Sequence, residues 1–304
     1  MTDGPEARGS LPADGAFTAD RLLDEATAAL SAHGVPSPRV DAALLLAWAT
    51  DTTRGAVEAR AVIGGAVGAA HVQRFRQAVA RRCGREPLQH ITGVAHFRAL
   101  SLAVGPGVFV PRPETESVAQ FAIDALAATA LPAPVAVDLG TGSGAIALAL
   151  ATEVPHAVVY AVEQSADAFA WAERNNAALG SPVRLVRGDL GDALPELDGT
   201  VSVVVSNPPY IPDAAVPVDP EVRDWDPAAA LYGGPDGLDA VRRLVVTARR
   251  LLTPGGTVVI EHAEQQGAAL RALLSAARFR SPETHRDLTG RDRTTTAIAP
   301  ATGA

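Results

Sequence analysis

Lysine is missing from this chain: all 26 of its basic residues are arginine, a bias of genome composition that carries no functional message. Cysteine occurs once, as Cys83, which excludes an intramolecular disulfide framework and a thiolate metal cluster. The seven histidines (His33, His71, His90, His96, His156, His262 and His285) are scattered with no metal-ligand spacing, so no metal is expected. No apolar run approaches the ~20 residues that cross a bilayer. The stretch Met1 to Phe17 carries Asp3, Glu6 and Asp14 and lacks the apolar segment of a signal peptide, so a cytoplasmic, membrane-free protein is expected. Positive charge is also short. A net charge of −8 makes the chain a poor non-specific partner for phosphate backbones, and no direct nucleic-acid substrate is expected.

What is present fits one large domain or two ordinary ones: 304 residues, 47% hydrophobic and 20% charged. Residues 1–17, rich in Gly, Pro, Ala and acids, read as a disordered tail. A helical domain over 18–87 follows. Leu22, Leu23, Ala26, Ala29 and Leu30 have helical spacing, and Ser37-Pro38 opens a second helix through Trp48. A third helix, around Val67 to Cys83, carries Arg74, Arg76, Arg81 and Arg82 on its exposed side, with Arg85 just beyond. Residues 88–113 read as a β-hairpin linker, with strand-like Leu88–Thr92 and Leu100–Val104, ending in the rigid Pro111-Arg112-Pro113. From 114 to 304 strands and helices alternate. The expected strands are Val135–Leu139, Ala157–Val162, Val183–Arg187, Val201–Ser206, Gly256–Glu261 and a last pair near 278–286 and 293–299. Buried apolar strands separated by helices make a parallel sheet covered on both faces, with its ligand at the carboxyl ends of the strands.

The first strand of that region runs into Gly140-Thr141-Gly142-Ser143-Gly144 and then the apolar helix Ala145 to Leu150. Glycines there let a ligand approach the backbone near a helix N-terminus. The loop alone leaves a dehydrogenase and a methyltransferase equally open. Gly140, Gly142 and Ala145 satisfy the dinucleotide pattern, and Glu163 stands at roughly the 20-residue spacing of a ribose ligand. Three strand-end acids shift the balance. Glu163 suits a ribose diol, Asp189 an adenine amine, and Asp138 the amino end of a methionine moiety. Carboxylates at three adjacent strand ends would repel a pyrophosphate and suit a cationic ligand.

The fourth strand ends in Asn207-Pro208-Pro209-Tyr210. A carboxamide nitrogen is a weak nucleophile because its lone pair is delocalised into the carbonyl. An enzyme that methylates it must hold both hydrogens with acceptors, and the Asn207 side-chain oxygen and the Pro208 carbonyl are candidates. Consecutive prolines remove N–H groups and stiffen the loop, and the Tyr210 ring can stack on a planar amide. Orientation and fixed acceptors would supply the catalysis, with neither a metal nor a covalent intermediate.

Further segments accompany these loops: Ser37-Pro38-Arg39-Val40-Asp41-Ala42, Glu86 to Gly93, Phe109 to Glu116, Pro254-Gly255-Gly256, Glu261-His262 and Arg286-Asp287-Leu288. Together with Asp138–Gly144 and Ser206–Ile211 they make the chain, from Leu22 onward, resemble the HemK/PrmC family, the glutamine methyltransferases that act on peptide chain release factors. The resemblance implies a class I S-adenosylmethionine-dependent methyltransferase. That fold is Rossmann-like, with a mostly parallel seven-stranded sheet, here joined to a small N-terminal helical bundle and a hairpin linker. It implies S-adenosylmethionine as cofactor, the glutamine of the Gly-Gly-Gln loop of class 1 release factors as substrate, and a bundle that helps dock the release factor. Asp138, Gly140, Thr141, Gly142, Ser143, Gly144, Glu163, Asp189, Leu190 and Asn207 are the expected cofactor set. Asn207, Pro208, Pro209 and Tyr210 are the expected catalytic and glutamine-binding loop, and Phe97 and Arg112 are expected to approach the substrate pocket of a monomer. Two positions depart from the family. Glu163 stands where aspartate is usual, and Leu190-Gly191 follows Asp189 where some relatives place an aromatic beside the adenine. A glutamine methyltransferase of ribosomal proteins and a nucleic-acid adenine methyltransferase share the loop chemistry and remain the alternatives.

Overall fold

Apolar residues at helical spacing set the first helices of the computed structural model, which describes residues 17–301. The expected tail therefore lies outside the described residues, except for Phe17. The chain divides into two compact units between Thr92 and Gly93.

The first unit contains α1 (Ala19–Ala32), α2 (Pro38–Ala49), α3 (Arg54–Val62), α4 (Ala69–Cys83) and α5 (Leu88–Thr92). Its core is built from Leu22, Leu23, Leu30, Leu45, Leu46 and Phe75. Three details differ from the sequence-based expectation. The helix α3 has a single buried residue, Val57, so it shows no apolar stripe to detect; Thr53 caps it by accepting from the Ala56 N–H. Leu88–Thr92 is a helical turn rather than a strand, because the N–H groups of His90 and Ile91 both donate to the Pro87 carbonyl. Arg82 is buried rather than solvent-facing and pairs with Asp41 of α2 at 2.7 Å.

The second unit opens with the hairpin β1 (Val94–Phe97) and β2 (Leu100–Ala103), paired Val94↔Ala103 through Phe97↔Leu100. Next come α6 (Pro113–Ala127), β3 (Val135–Leu139), α7 (Ala145–Glu153), β4 (Val158–Glu163), α8 (Ala166–Ala178), β5 (Arg184–Arg187) and β6 (Val201–Ser206). Then follow α9 (Pro220–Trp225), α10 (Ala228–Leu231), α11 (Asp239–Leu251), β7 (Leu252–Glu261), α12 (Gly267–Ala276), β8 (Arg280–Arg286) and β9 (Asp292–Ile298). The seven-stranded sheet has the order β5-β4-β3-β6-β7-β9-β8. Its first five strands are parallel, and β9 runs antiparallel to both β7 and β8. This is the Rossmann-like architecture of class I methyltransferases.

Alternation along the strands feeds two cores, one per face. Ala136, Val159, Val203 and Val205 pack with α6 and α7, whereas Val137, Val162 and Val204 pack with α11 and α12. The helix α7 is buried from Ala145 through Ala151, which is why its sequence is apolar on all sides. On α11 the buried Val241, Leu244, Val245, Ala248 and Leu251 form a single stripe. Among the described residues no helix is long and apolar enough to cross a membrane.

Candidate active site

Strand β3 has β4 on one side and β6 on the other, so strand order reverses at its carboxyl end. A crevice opens at such a point, and whatever follows β3 and β6 lies side by side along it. The register pairs Asp138 with Val205, and the Ser206 hydroxyl donates to the Leu139 carbonyl at 2.5 Å. The glycine loop and the Asn-Pro-Pro-Tyr loop thus leave adjacent strands together. A cavity of about 570 Å³ lies over them, within the range of ordinary ligand sites.

The glycine loop forms the floor. Gly140 and Gly142 have φ of 78° and 59°, and nothing lies within 4 Å of where a Cβ would be on either, so their bare backbone meets the cavity. The N–H groups of Gly140 and Thr141 donate to the Val162 carbonyl, which ties the loop to β4. Glu163, closing β4, accepts from the Gly142 N–H through Oε2 and from the Ser165 N–H through Oε1, both at 2.8 Å. Glutamate in place of aspartate gives the reach for that brace, and each oxygen keeps a second lone pair for a ligand.

Asp138, Gly144, Pro208 and Phe97 are not among the lining residues; Thr141, Ser143, Asp189, Leu190, Asn207, Pro209, Tyr210 and Arg112 are. Asp138 lies beneath the loop, its Oδ2 accepting from the Thr141 hydroxyl at 2.6 Å and from the Ala147 N–H at 3.2 Å. Its Oδ1 is buried without a partner, and burial pushes the carboxyl up to about 7. Gly144, with φ of 87°, makes the turn into α7. Phe97 is fully buried in the core with α6 and α7, because the alternation of β1 turns it inward; this corrects the expectation that it approaches the pocket.

The loop after β6 is fixed from several sides. The Asn207 amide nitrogen donates to the Thr115 hydroxyl at 3.3 Å, which leaves Oδ1 as the acceptor for a ligand. The Tyr210 carbonyl accepts from Gln266 Nε2 at 3.0 Å, and a Cβ on Gly233 would lie 2.5 Å from the Pro209 oxygen. Ile211 N–H donates to the Leu231 carbonyl at 2.9 Å. The Pro208 carbonyl accepts no hydrogen bond among the described residues. The Tyr210 hydroxyl donates to Glu261 Oε1 at 3.5 Å, and burial together with that carboxylate pushes the phenol well above its ordinary range.

Several lining residues have no role in the sequence-based expectation. Glu261 closes β7 and is buried, which pushes its carboxyl up to about 7. Its signal is available in the sequence, because it is a fourth strand-end acid. Thr115 sits in the first turn of α6, where nothing periodic marks it. Arg112, already a candidate from the sequence, lines the cavity and pairs with Asp226 at 2.6 Å. The Asp226 partner is 114 residues distant, and only the fold brings the two together. Arg243 pairs with Asp189, and Arg293 of β9 completes the wall near Glu261.

This donor set suits S-adenosylmethionine. Glu163 and Asp189 present carboxylates at the ends of adjacent strands, and nothing obstructs the backbone at Gly140 and Gly142; Glu114 and Asp219 add acids to a lining that also holds Arg112, Arg243 and Arg293.

Known proteins agree with this geometry. Residues 21–93 match the family model described as the PrmC N-terminal domain, and residues 100–219 match the methyltransferase small domain. The release factor glutamine methyltransferase of Streptomyces coelicolor is 52% identical over 90% of this chain and 95% of that protein. A 4-amino-L-phenylalanine/4-methylamino-L-phenylalanine methyltransferase of Streptomyces pristinaespiralis is 41% identical over 85% of this chain and 88% of its own length. The solved structure of the Thermus thermophilus 16S rRNA N2 G1207 methyltransferase, in complex with AdoMet and guanosine, superposes with a TM-score of 0.51 at 21% identity. That match covers 68% of this chain and 49% of the other and supports the fold alone. With two adjacent loops at the strand switch, a cavity over both and relatives that match over nine-tenths of the chain, this protein belongs to the release factor glutamine methyltransferase family, enzymes dependent on S-adenosylmethionine.

Proposed function

We propose that this protein methylates the side-chain amide nitrogen of the glutamine in the Gly-Gly-Gln motif of class 1 peptide chain release factors, giving N(5)-methylglutamine. The observation that carries the reading is the orientation of Asn207. With its nitrogen committed to Thr115, its Oδ1 faces a ligand as an acceptor beside the glycine loop.

Bound S-adenosylmethionine supplies a methyl group on a positively charged sulfur. The chain supplies everything else. Glu163 and Asp189 would hold the ribose and adenine beside Gly140 and Gly142. Asn207 Oδ1 accepts one amide hydrogen; the neighbouring Pro208 carbonyl, without another partner among the described residues though outside the cavity lining, takes the second, and the Tyr210 ring lies against the amide plane. Transfer would join the glutamine nitrogen to the methyl carbon as the carbon–sulfur bond breaks, with the electron pair going to sulfur. One amide proton, held at one of the two acceptors, passes to solvent. Two fixed oxygens stabilise the positive charge that develops on nitrogen, and they need not reorganise during the step. Arg112 borders the entrance, and the first unit, α1 through α5, docks the release factor. The enzyme acts as a cytoplasmic monomer.

The test is reaction of purified enzyme and S-adenosylmethionine with release factor, ribosomal proteins, duplex DNA or 4-amino-L-phenylalanine in separate incubations. The expected result is a gain of one methyl on the release factor alone, mapped by fragmentation to the glutamine of the motif. Methyl transfer to any other substrate, with release factor left unmodified, would overturn the reading.

A further inference from the structure

The loop after β5 ends at a glycine that has no conformational need to be one. Gly191 is not in the left-handed region, yet a Cβ there would lie 2.5 Å from Arg243 Nη2, 2.9 Å from Nε and 3.0 Å from Cζ. The Arg243 guanidinium thus fills the volume in which a side chain at residue 191 would begin. The same guanidinium pairs with Asp189 Oδ1, which also accepts from the Gly191 N–H at 2.7 Å. The Gly191 carbonyl in turn accepts from the Thr247 hydroxyl at 2.7 Å. Arg243 and Thr247 are one turn apart on α11, so one helix face grips the loop at both its carboxylate and its backbone.

We propose that Arg243 is a positioning residue for the adenine end of the cofactor site. Two donors occupy Asp189 Oδ1, which fixes the carboxylate and leaves Oδ2 without a hydrogen bond among the described residues, on a residue that lines the cavity with Gly188, Leu190, Ala240 and Arg243. Oδ2 is then the acceptor for the exocyclic amine of adenine. The guanidinium acts through Asp189 alone, and Gly191, with no side chain in its way, is what lets it approach. The inference rests on the reading of Asp189 as the adenine acceptor.

An exposed ion pair alone contributes little, so the effect should appear in ligand binding rather than in folding. Calorimetry on the wild type, R243A, G191A and the double variant, using S-adenosylhomocysteine and its inosine counterpart, separates the contributions. R243A should weaken S-adenosylhomocysteine about tenfold, the size of one charge-assisted contact misplaced. G191A displaces the guanidinium and should match that loss, and the double variant should be no worse than either. The inosine compound, whose carbonyl cannot donate to Asp189, should bind the wild type and R243A equally. Unchanged or tighter S-adenosylhomocysteine binding in R243A would overturn the proposal, as would an equal loss for both nucleosides. A wild type that binds neither compound would instead overturn the cofactor reading on which the proposal depends.

Discussion

Asn207 and Thr115 stand 92 residues apart in the chain and meet through one hydrogen bond, from the Asn207 amide nitrogen to the Thr115 hydroxyl. The contact decides which end of the carboxamide faces the cavity. Asn207→Ala is expected to lower kcat by roughly 100-fold or more while leaving S-adenosylhomocysteine affinity within about threefold, because the lost acceptor acts on the nucleophile. Thr115→Val should lower kcat in the same direction by a smaller factor. Single-turnover kinetics with calorimetry checks both, and near-normal turnover in Asn207→Ala would refute the assigned role.

Arg112 and Asp226 lead to a prediction about stability. The Asp226 side chain is fully buried, and burial raises its carboxyl above the ordinary range despite the guanidinium. Arg112→Ala leaves that carboxylate without its partner and is expected to cost about 3 kcal/mol. The double variant with Asp226→Asn should recover part of the loss. Denaturant melts measure it, and an Arg112→Ala enzyme of unaltered stability would show that the pair contributes nothing.

Asp138 and Glu261 predict an unusual pH dependence. Burial raises their carboxyls from 3.8 and 4.5, respectively, to about 7. Between those limits the folded protein binds more protons than the unfolded chain, so these groups make stability fall as pH rises, and above about 7 the penalty is constant. Buried His262, lowered by desolvation, works in the opposite sense at acid pH. Asp138→Asn and Glu261→Gln cannot ionise, so each should flatten the decline in Tm from about pH 5 to about pH 8, corresponding to a few kcal/mol. Parallel Tm–pH curves for wild type and variants would count against the buried-carboxylate account.

Tyr210 separates ring from hydroxyl. Its phenol is held neutral far above assay pH, so it acts as a donor to Glu261 and a flat surface, not as a base. Tyr210→Phe is expected to keep kcat within about tenfold and to leave the alkaline limb of the pH profile unmoved, whereas Tyr210→Ala should raise KM for the protein substrate strongly. Equal losses in the two variants would remove the ring from the site.

Much of this architecture is legible in the amino-acid sequence because the chemistry sits at strand ends. Val201–Ser206 is bounded to the residue, since a strand buried on both faces is a continuous apolar run with abrupt ends. The glycine loop and the Asn-Pro-Pro-Tyr loop are equally visible, being made of residues that announce unusual backbone. Where sequence and fold diverge, the cause is shared. Local alternation alone does not say which face of β1 carries Phe97 into the core, nor whether Pro87 starts a turn at Leu88–Thr92; both depend on neighbours. The partners Thr115, Asp226 and Arg243 come from distant segments, and no spacing rule joins residue 115 to 207 or 189 to 243. Glu261 differs: the strand-end argument that marks Asp138, Glu163 and Asp189 applies to it unchanged.

The placement of β9 between β7 and β8 bears on how the molecule can be made. The last strand among the described residues is an interior member of the sheet, and its Arg293 forms part of the cavity wall. A chain that lacks β9 exposes the open ladder of β7, leaves β8 without its partner and loses Arg293 from the cavity wall. Such fragments would be sticky and inert. Strand β9 therefore closes the sheet and finishes the pocket in one event, and a chain without it gains neither.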